Sequence, residues 1–168
     1  MKKVSLFLVA LFVAVVSYAQ PKAIGLRLSY GGQFGGEVSY EHILGAGDNF
    51  LEADLGMFGN GFKVSGLYNF TFAHPNWTPR GEWVWYAGPG AVLGYVPYAI
   101  NSDSGRWKNG FLLGIAGQVG LEYTFWFPLQ LSVDLRPVFG GIMADDGGFY
   151  VDGAAWGFMP TLAVRYRF

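Results

Sequence analysis

An alternation with a period of two residues recurs along most of this chain and constrains its fold more than any other feature. In the stretch 129–140, Leu129, Leu131, Val133, Leu135, Pro137 and Phe139 share one parity, while Gln130, Ser132, Asp134 and Arg136 share the other. The last stretch repeats the pattern: Trp156, Phe158, Pro160, Leu162, Val164, Tyr166 and Phe168 alternate with a row that ends on Arg165 and Arg167. A period of two belongs to a β-strand with two unlike faces. Turn signals rich in Gly, Asn, Asp and Pro cut the chain after residue 21 into eight such segments, at about 22–31, 34–43, 49–58, 62–72, 82–96, 110–124, 129–140 and 154–168. Eight strands at this spacing predict an all-β sandwich or barrel.

Residues 1–19 stand apart. Lys2 and Lys3 precede an apolar run, and Ser17 and Ala19 put small residues at the −3 and −1 positions before Gln20. This is the pattern of a cleaved signal peptide of the general secretory pathway, and the run is too short for a membrane-spanning helix. Removing these nineteen of the 168 residues leaves 149, one domain over 20–168. Lys2 and Lys3 leave with the signal, so nine basic residues face twelve acidic ones. That balance is too mild to imply nucleic acid as a partner. The absence of cysteine excludes disulfides, thiolate chemistry and Cys-ligated zinc.

Sorting every strand by parity puts the charges of the strand cores on one row. That row holds Arg27, Lys63, Arg136, Arg165 and Arg167 against Glu37, Glu41, Glu52, Asp54, Glu82, Glu122 and Asp134. In a soluble lipocalin-like ligand carrier this row would face water. In a membrane barrel it lines the interior and the apolar row faces lipid. Three features favour the second arrangement. The charged row is otherwise built of Gly, Ala and Ser, as the narrow interior of an eight-stranded barrel demands. Its charges are of both signs and can pair, which buried charges must do. Aromatic residues of the apolar row gather towards strand ends, with Phe70, Phe72, Trp83, Trp85, Tyr123, Tyr166 and Phe168 at one rim and Tyr30, Phe58, Phe62, Tyr95, Phe111, Phe139 and Trp156 at the other, the two-girdle pattern of membrane interfaces. The expected fold is an eight-stranded antiparallel up-and-down transmembrane β-barrel. Pro89, Pro137 and Pro160 fall inside its strands, where bulges or kinks are expected.

With this pattern the chain resembles the small OmpA/OmpX-like outer-membrane β-barrels of Gram-negative bacteria. The sharpest local match is at the end of the chain, where Thr161, Tyr166 and Phe168 fit the signal read by the outer-membrane insertion machinery, with Ala163 in place of the usual Gly. The resemblance implies an outer-membrane location, lipid as surroundings, periplasmic chaperones and the insertion machinery as partners in biogenesis, and no cofactor. It also implies termini in the periplasm, outer loops at 31–36, 59–61, 97–109 and 141–152, and periplasmic turns at 44–49, 73–81 and 125–128.

No catalytic constellation is expected. A lipid-facing Ser–His pair would suit a deacylase, but Ser29, Ser39, Ser65 and Ser132 share the inward parity whereas His42 points outward. Asp145 and Asp146 lie in an outer loop, far from His42 and His74. Asp103, Asp145, Asp146 and Asp152 could offer oxygen ligands to calcium, but their spacing fits no calcium loop. Asn76-Trp77-Thr78 is a glycosylation sequon in a predicted periplasmic turn. Two functions remain: a structural or surface-interaction barrel plugged by its own charges, with Tyr98, Trp107, Phe149 and Tyr150 as its outer contacts, or a narrow pore.

Overall fold

The computed structural model describes residues 22–30, 34–44, 48–58, 60–101, 106–144, 147–151 and 156–168, with the backbone alone at 58, 98–101, 106–108 and 156. The expected signal peptide, Asp103, Asp145, Asp146 and Asp152 lie outside the described residues, as do the side chains of Tyr98 and Trp107.

Nine strands follow in order: β1 Lys22–Tyr30, β2 Phe34–Ile43, β3 Phe50–Phe58, β4 Gly61–Ala73, β5 Glu82–Asn101, β6 Arg106–Thr124, β7 Leu129–Ala144, β8 Phe149–Tyr150 and β9 Trp156–Arg167. Each long strand pairs antiparallel with its predecessor, and β9 pairs with both β7 and β1. The ring is therefore closed from eight staves. The two-residue β8 adds to the same edge of β7 as β9. Lys22 and Phe168 exchange backbone hydrogen bonds of 3.1 and 2.8 Å at the seam. Closure leaves no open sheet edge, which a structure surrounded by hydrocarbon requires.

The register is staggered. Carried around the ring from Ile24 through Tyr40, Ala53, Gly66, Ala91, Ile115, Phe139 and Trp156, and continued in the β9–β1 register, it comes back displaced by about ten residues from Ile24, past the end of β1. A stagger of this size accompanies strands tilted by about 45° and an interior just wide enough for side chains.

Outside and inside follow the two parities. Leu26, Leu55, Met57, Ile115, Val133 and Phe158 are each more than half exposed on the outer face. Arg27, Ser39, Asn69, Arg136 and Arg165 are almost completely buried in the lumen. Tyr166 and Phe168 stack outward at the seam.

Three expectations are corrected. Residues 97–109 are not simply a loop: β5 and β6 continue as a two-stranded ribbon through Pro97↔Asn109 to Asn101↔Arg106. The stretch 141–152 likewise contains the end of β7 and the added strand β8. Pro89, Pro137 and Pro160 cause no shift of register. Instead, the β4–β5 ladder lacks pairs between Leu67↔Gly90 and Phe70↔Ala87, beside Pro89. The β6–β7 ladder lacks them between Ala116↔Val138 and Val119↔Leu135, beside Pro137. A missing N–H opens the ladder on one side without inserting a residue. Pro160 sits just beyond the last β1–β9 pair, Ser29↔Thr161, and so interrupts nothing there. The irregularities lie elsewhere, at Thr71/Ala73 and Ala99/Asn101.

Candidate functional site

The lumen concentrates the polar chemistry of the molecule, and its geometry starts from strand register. Glu52 and Asp54 on β3 lie two residues apart and both point inward. Arg27 on β1, Arg136 on β7 and Arg165 on β9 reach them across the interior. One carboxylate oxygen of Glu52, Oε1, receives all three guanidinium groups: that of Arg27, that of Arg136 at 2.9 Å and that of Arg165 at 3.1 Å. Asp54 takes Arg136 at 2.8 Å and Arg27 at 3.6 Å. Asp134 on β7 accepts from Arg27 Nη1 at 2.7 Å, from the Tyr86 hydroxyl at 3.0 Å and from the Thr161 hydroxyl. In the ring order β3 and β7 are diametrically opposite, so the Arg136–Glu52 and Arg136–Asp54 pairs span the full width of the lumen.

The network extends to both ends. Towards the loop end, Glu37 pairs with Lys63 at 3.5 Å and Arg136 at 3.8 Å and accepts from Ser29 at 2.7 Å. Towards the terminal end, Arg165 stands 3.6 Å from Glu41 and 3.9 Å from Glu122, and Gln130 donates to Glu41 at 2.8 Å. Gln118 donates to Glu52 at 3.0 Å and accepts from Arg136 at 3.0 Å.

Ten of the twelve charged residues expected in the lumen therefore meet in one connected system. Glu82 stands outside it, and so does Arg167. Arg167 is half-buried at the terminal mouth, where it lines a cavity of about 40 Å³ with Glu41, Asp48, His74, Glu82 and Glu122. Glu82, expected inward, is exposed there because β5 only begins at this residue, and it contacts His74 Nδ1 at 3.2 Å.

Parity reasoning missed one member, Lys22, which is buried at the start of β1 although it shares the parity of the outward Ile24 and Leu26. The uncharged residues of the inward row join the network as their parity predicts: Tyr86 is buried beside Asp134, and Ser39, Ser65, Ser132, Gln118 and Gln130 bridge the charges. The Tyr86 contact depends on Gly120, which sits between Tyr86 and Asp134 in register. A Cβ there would lie 2.5 Å from the Tyr86 ring and 2.6 Å from Asp134 Cβ.

The inward row, expected to hold charges among Gly, Ala and Ser, also carries larger apolar side chains. Leu67, Val92, Val96, Leu112, Ala116, Val138, Ile142, Ala144 and Met159 form a buried apolar cluster inside the barrel. It is built mainly from the loop-end halves of β5, β6 and β7, with Leu67 of β4 and Met159 of β9, where the inward row itself turns apolar and alternation gives little signal. Tyr150 packs against this cluster and is only partly exposed, whereas Phe149 is 68% exposed. Of the four expected outer contacts, Phe149 alone is described as a free aromatic surface. The serines Ser29, Ser39, Ser65 and Ser132 are tied into the network, and His74 contacts Asp48 and Glu82. Among the described residues no group of His, Asp and Glu could hold a metal ion.

The closed eight-stranded antiparallel ring is the fold of the small OmpA/OmpX-like outer-membrane barrels. Two solved structures share it. The N-terminal β-barrel domain of Pseudomonas aeruginosa OprF superimposes with a TM-score of 0.62 at 19% identity, over 89% of this chain and 98% of that one. A major outer membrane protein from Thermus thermophilus superimposes with a TM-score of 0.51 at 15% identity, over 90% and 100%. No protein-family model matches the chain, and no curated protein matches its sequence.

Proposed function

We propose that this protein is an integral outer-membrane barrel with a self-plugged lumen and a structural or surface-interaction role, without enzymatic activity. It is exported through the general secretory pathway, held by periplasmic chaperones and inserted by the outer-membrane machinery, for which Thr161, Tyr166 and Phe168 form the signal. The observation that carries the closed lumen is Glu52, which gathers Arg27, Arg136 and Arg165 from three strands onto one carboxylate. A path through the barrel would have to separate these buried ions, and each uncompensated charge costs several kcal/mol. The buried apolar cluster lies inside the same barrel. Contacts with the outside then fall to the loop end, with Phe149 foremost among the described residues.

Reconstitution of the full chain into planar bilayers tests this reading. The wild type should insert without steady conductance. A steady single-channel current would replace the plugged barrel with a narrow pore.

A further inference from the structure

The turns at the terminal end carry an arrangement that the lumen does not explain. The β4–β5 turn, 74–81, is longer than a hairpin needs, yet it is fixed at several points. Thr78 Oγ1 donates to the Arg80 carbonyl at 2.8 Å, the Tyr123 hydroxyl donates to the same carbonyl at 2.8 Å, and Trp83 Nε1 donates to Thr78 Oγ1 at 3.1 Å. Gly81 closes the turn with φ of 75°, and a Cβ there would lie 2.5 Å from the Tyr123 hydroxyl. The Arg80 carbonyl is thus held directly by Tyr123 of β6 and by Thr78 of its own turn, and Thr78 is held in turn by Trp83 of β5. The Arg80 guanidinium carbon stands 5.8 Å from the centre of the Trp126 ring, which belongs to the next turn, 125–128.

Beneath this cation runs a continuous aromatic wall. Trp77 lies 5.4 Å from Trp83, Trp83 4.5 Å from Tyr123, Tyr123 4.5 Å from Phe125, and Phe125 4.9 Å from Phe127. Trp77 and Trp126 remain more than half exposed. The cations in the lumen are paired with carboxylates, whereas Arg80 is exposed and forms no ion pair among the described residues. A cation held at the outer edge of an aromatic girdle stands at the depth of lipid headgroups. Its planar fork matches two phosphate oxygens, and the tryptophan face limits its access to water on one side.

We propose that Arg80, Trp77 and Trp126 form a seat for one phospholipid headgroup, with the phosphate on the Arg80 guanidinium and the glycerol and upper acyl chain against the tryptophans. The seat rests on the membrane reading above and places the lipid in the leaflet at the barrel's terminal end.

Native mass spectrometry of the full chain in detergent, titrated with phosphatidylglycerol, tests the seat. The wild type should retain one lipid about fivefold more tightly than Arg80→Gln. Trp126→Leu should weaken retention as well, and inorganic phosphate at the same concentration should not compete. Equal retention by wild type and Arg80→Gln would overturn the seat, and competition by inorganic phosphate would reduce it to a simple anion site. A gel-mobility shift between unheated and boiled samples reports the folded barrel separately. Its absence in the wild type would instead overturn the membrane reading.

Discussion

Glu52 is the residue on which the interior turns. An acceptor shared by three guanidinium groups leaves all three short of compensation when its charge is removed. Glu52→Gln should therefore destabilise the barrel by about 3–5 kcal/mol, measured by urea unfolding in lipid vesicles. Tyr86→Phe, which removes the hydroxyl that donates to Asp134 and accepts from Gln118, should cost about 1–2 kcal/mol in the same assay. If the two variants unfolded at the same urea concentration, the hub would not be where the ionic stability resides. Sequence parity finds the charges of this network because a charge on the wrong face of a strand is expensive. It does not find their partners, since partners come from strands far apart in the chain. Lys22 escapes it because a strand's first residue has no neighbours on both sides to define a row. The apolar cluster escapes it because Val92, Leu112 and Ile142 lie in the loop-end halves of their strands, where both faces are hydrophobic.

At the scale of the element, the strands divide into staves and extensions. Eight staves are legible in the sequence because each needs only an alternating run bounded by turn residues. The ribbon beyond Tyr95 and Phe111 is not, since Pro97, Asn101, Asp103 and Gly105 signal a loop. Its pairs from Pro97↔Asn109 outwards have no third strand beside them, and an isolated two-stranded ribbon is marginal in water. Replacing residues 99–107 by Asn-Gly, which supplies a tight turn between the paired Tyr98 and Lys108, should leave unfolding free energy within about 0.5 kcal/mol of the wild type. Failure of that variant to shift on an unheated gel would show that the ribbon is needed for folding. Prolines within staves teach a related lesson. Pro89 and Pro137 interrupt hydrogen bonds on one side while the other neighbour holds the register, so a bulge is not required.

The whole molecule is a soluble protein's polarity reversed. Closure satisfies the backbone, the stagger sets an interior that side chains can fill, and small residues make room for large ones there. Gly120 is the clearest case, since its missing side chain lets the Tyr86 ring lie flat and reach Asp134. The orientation of the two faces, which alternation alone leaves open, is resolved in the structure by burial: Arg27 is 0% exposed and Leu26 beside it 68%. Because the chain has no cysteine, single labels can test that reversal directly. Val133→Cys and Leu26→Cys place a fluorophore on the apolar face. In vesicles carrying nitroxide-labelled acyl chains, both labels should be strongly quenched by the lipid and scarcely by aqueous iodide. Quenching by iodide, with none from the acyl chains, would put the apolar face in water and contradict the membrane barrel.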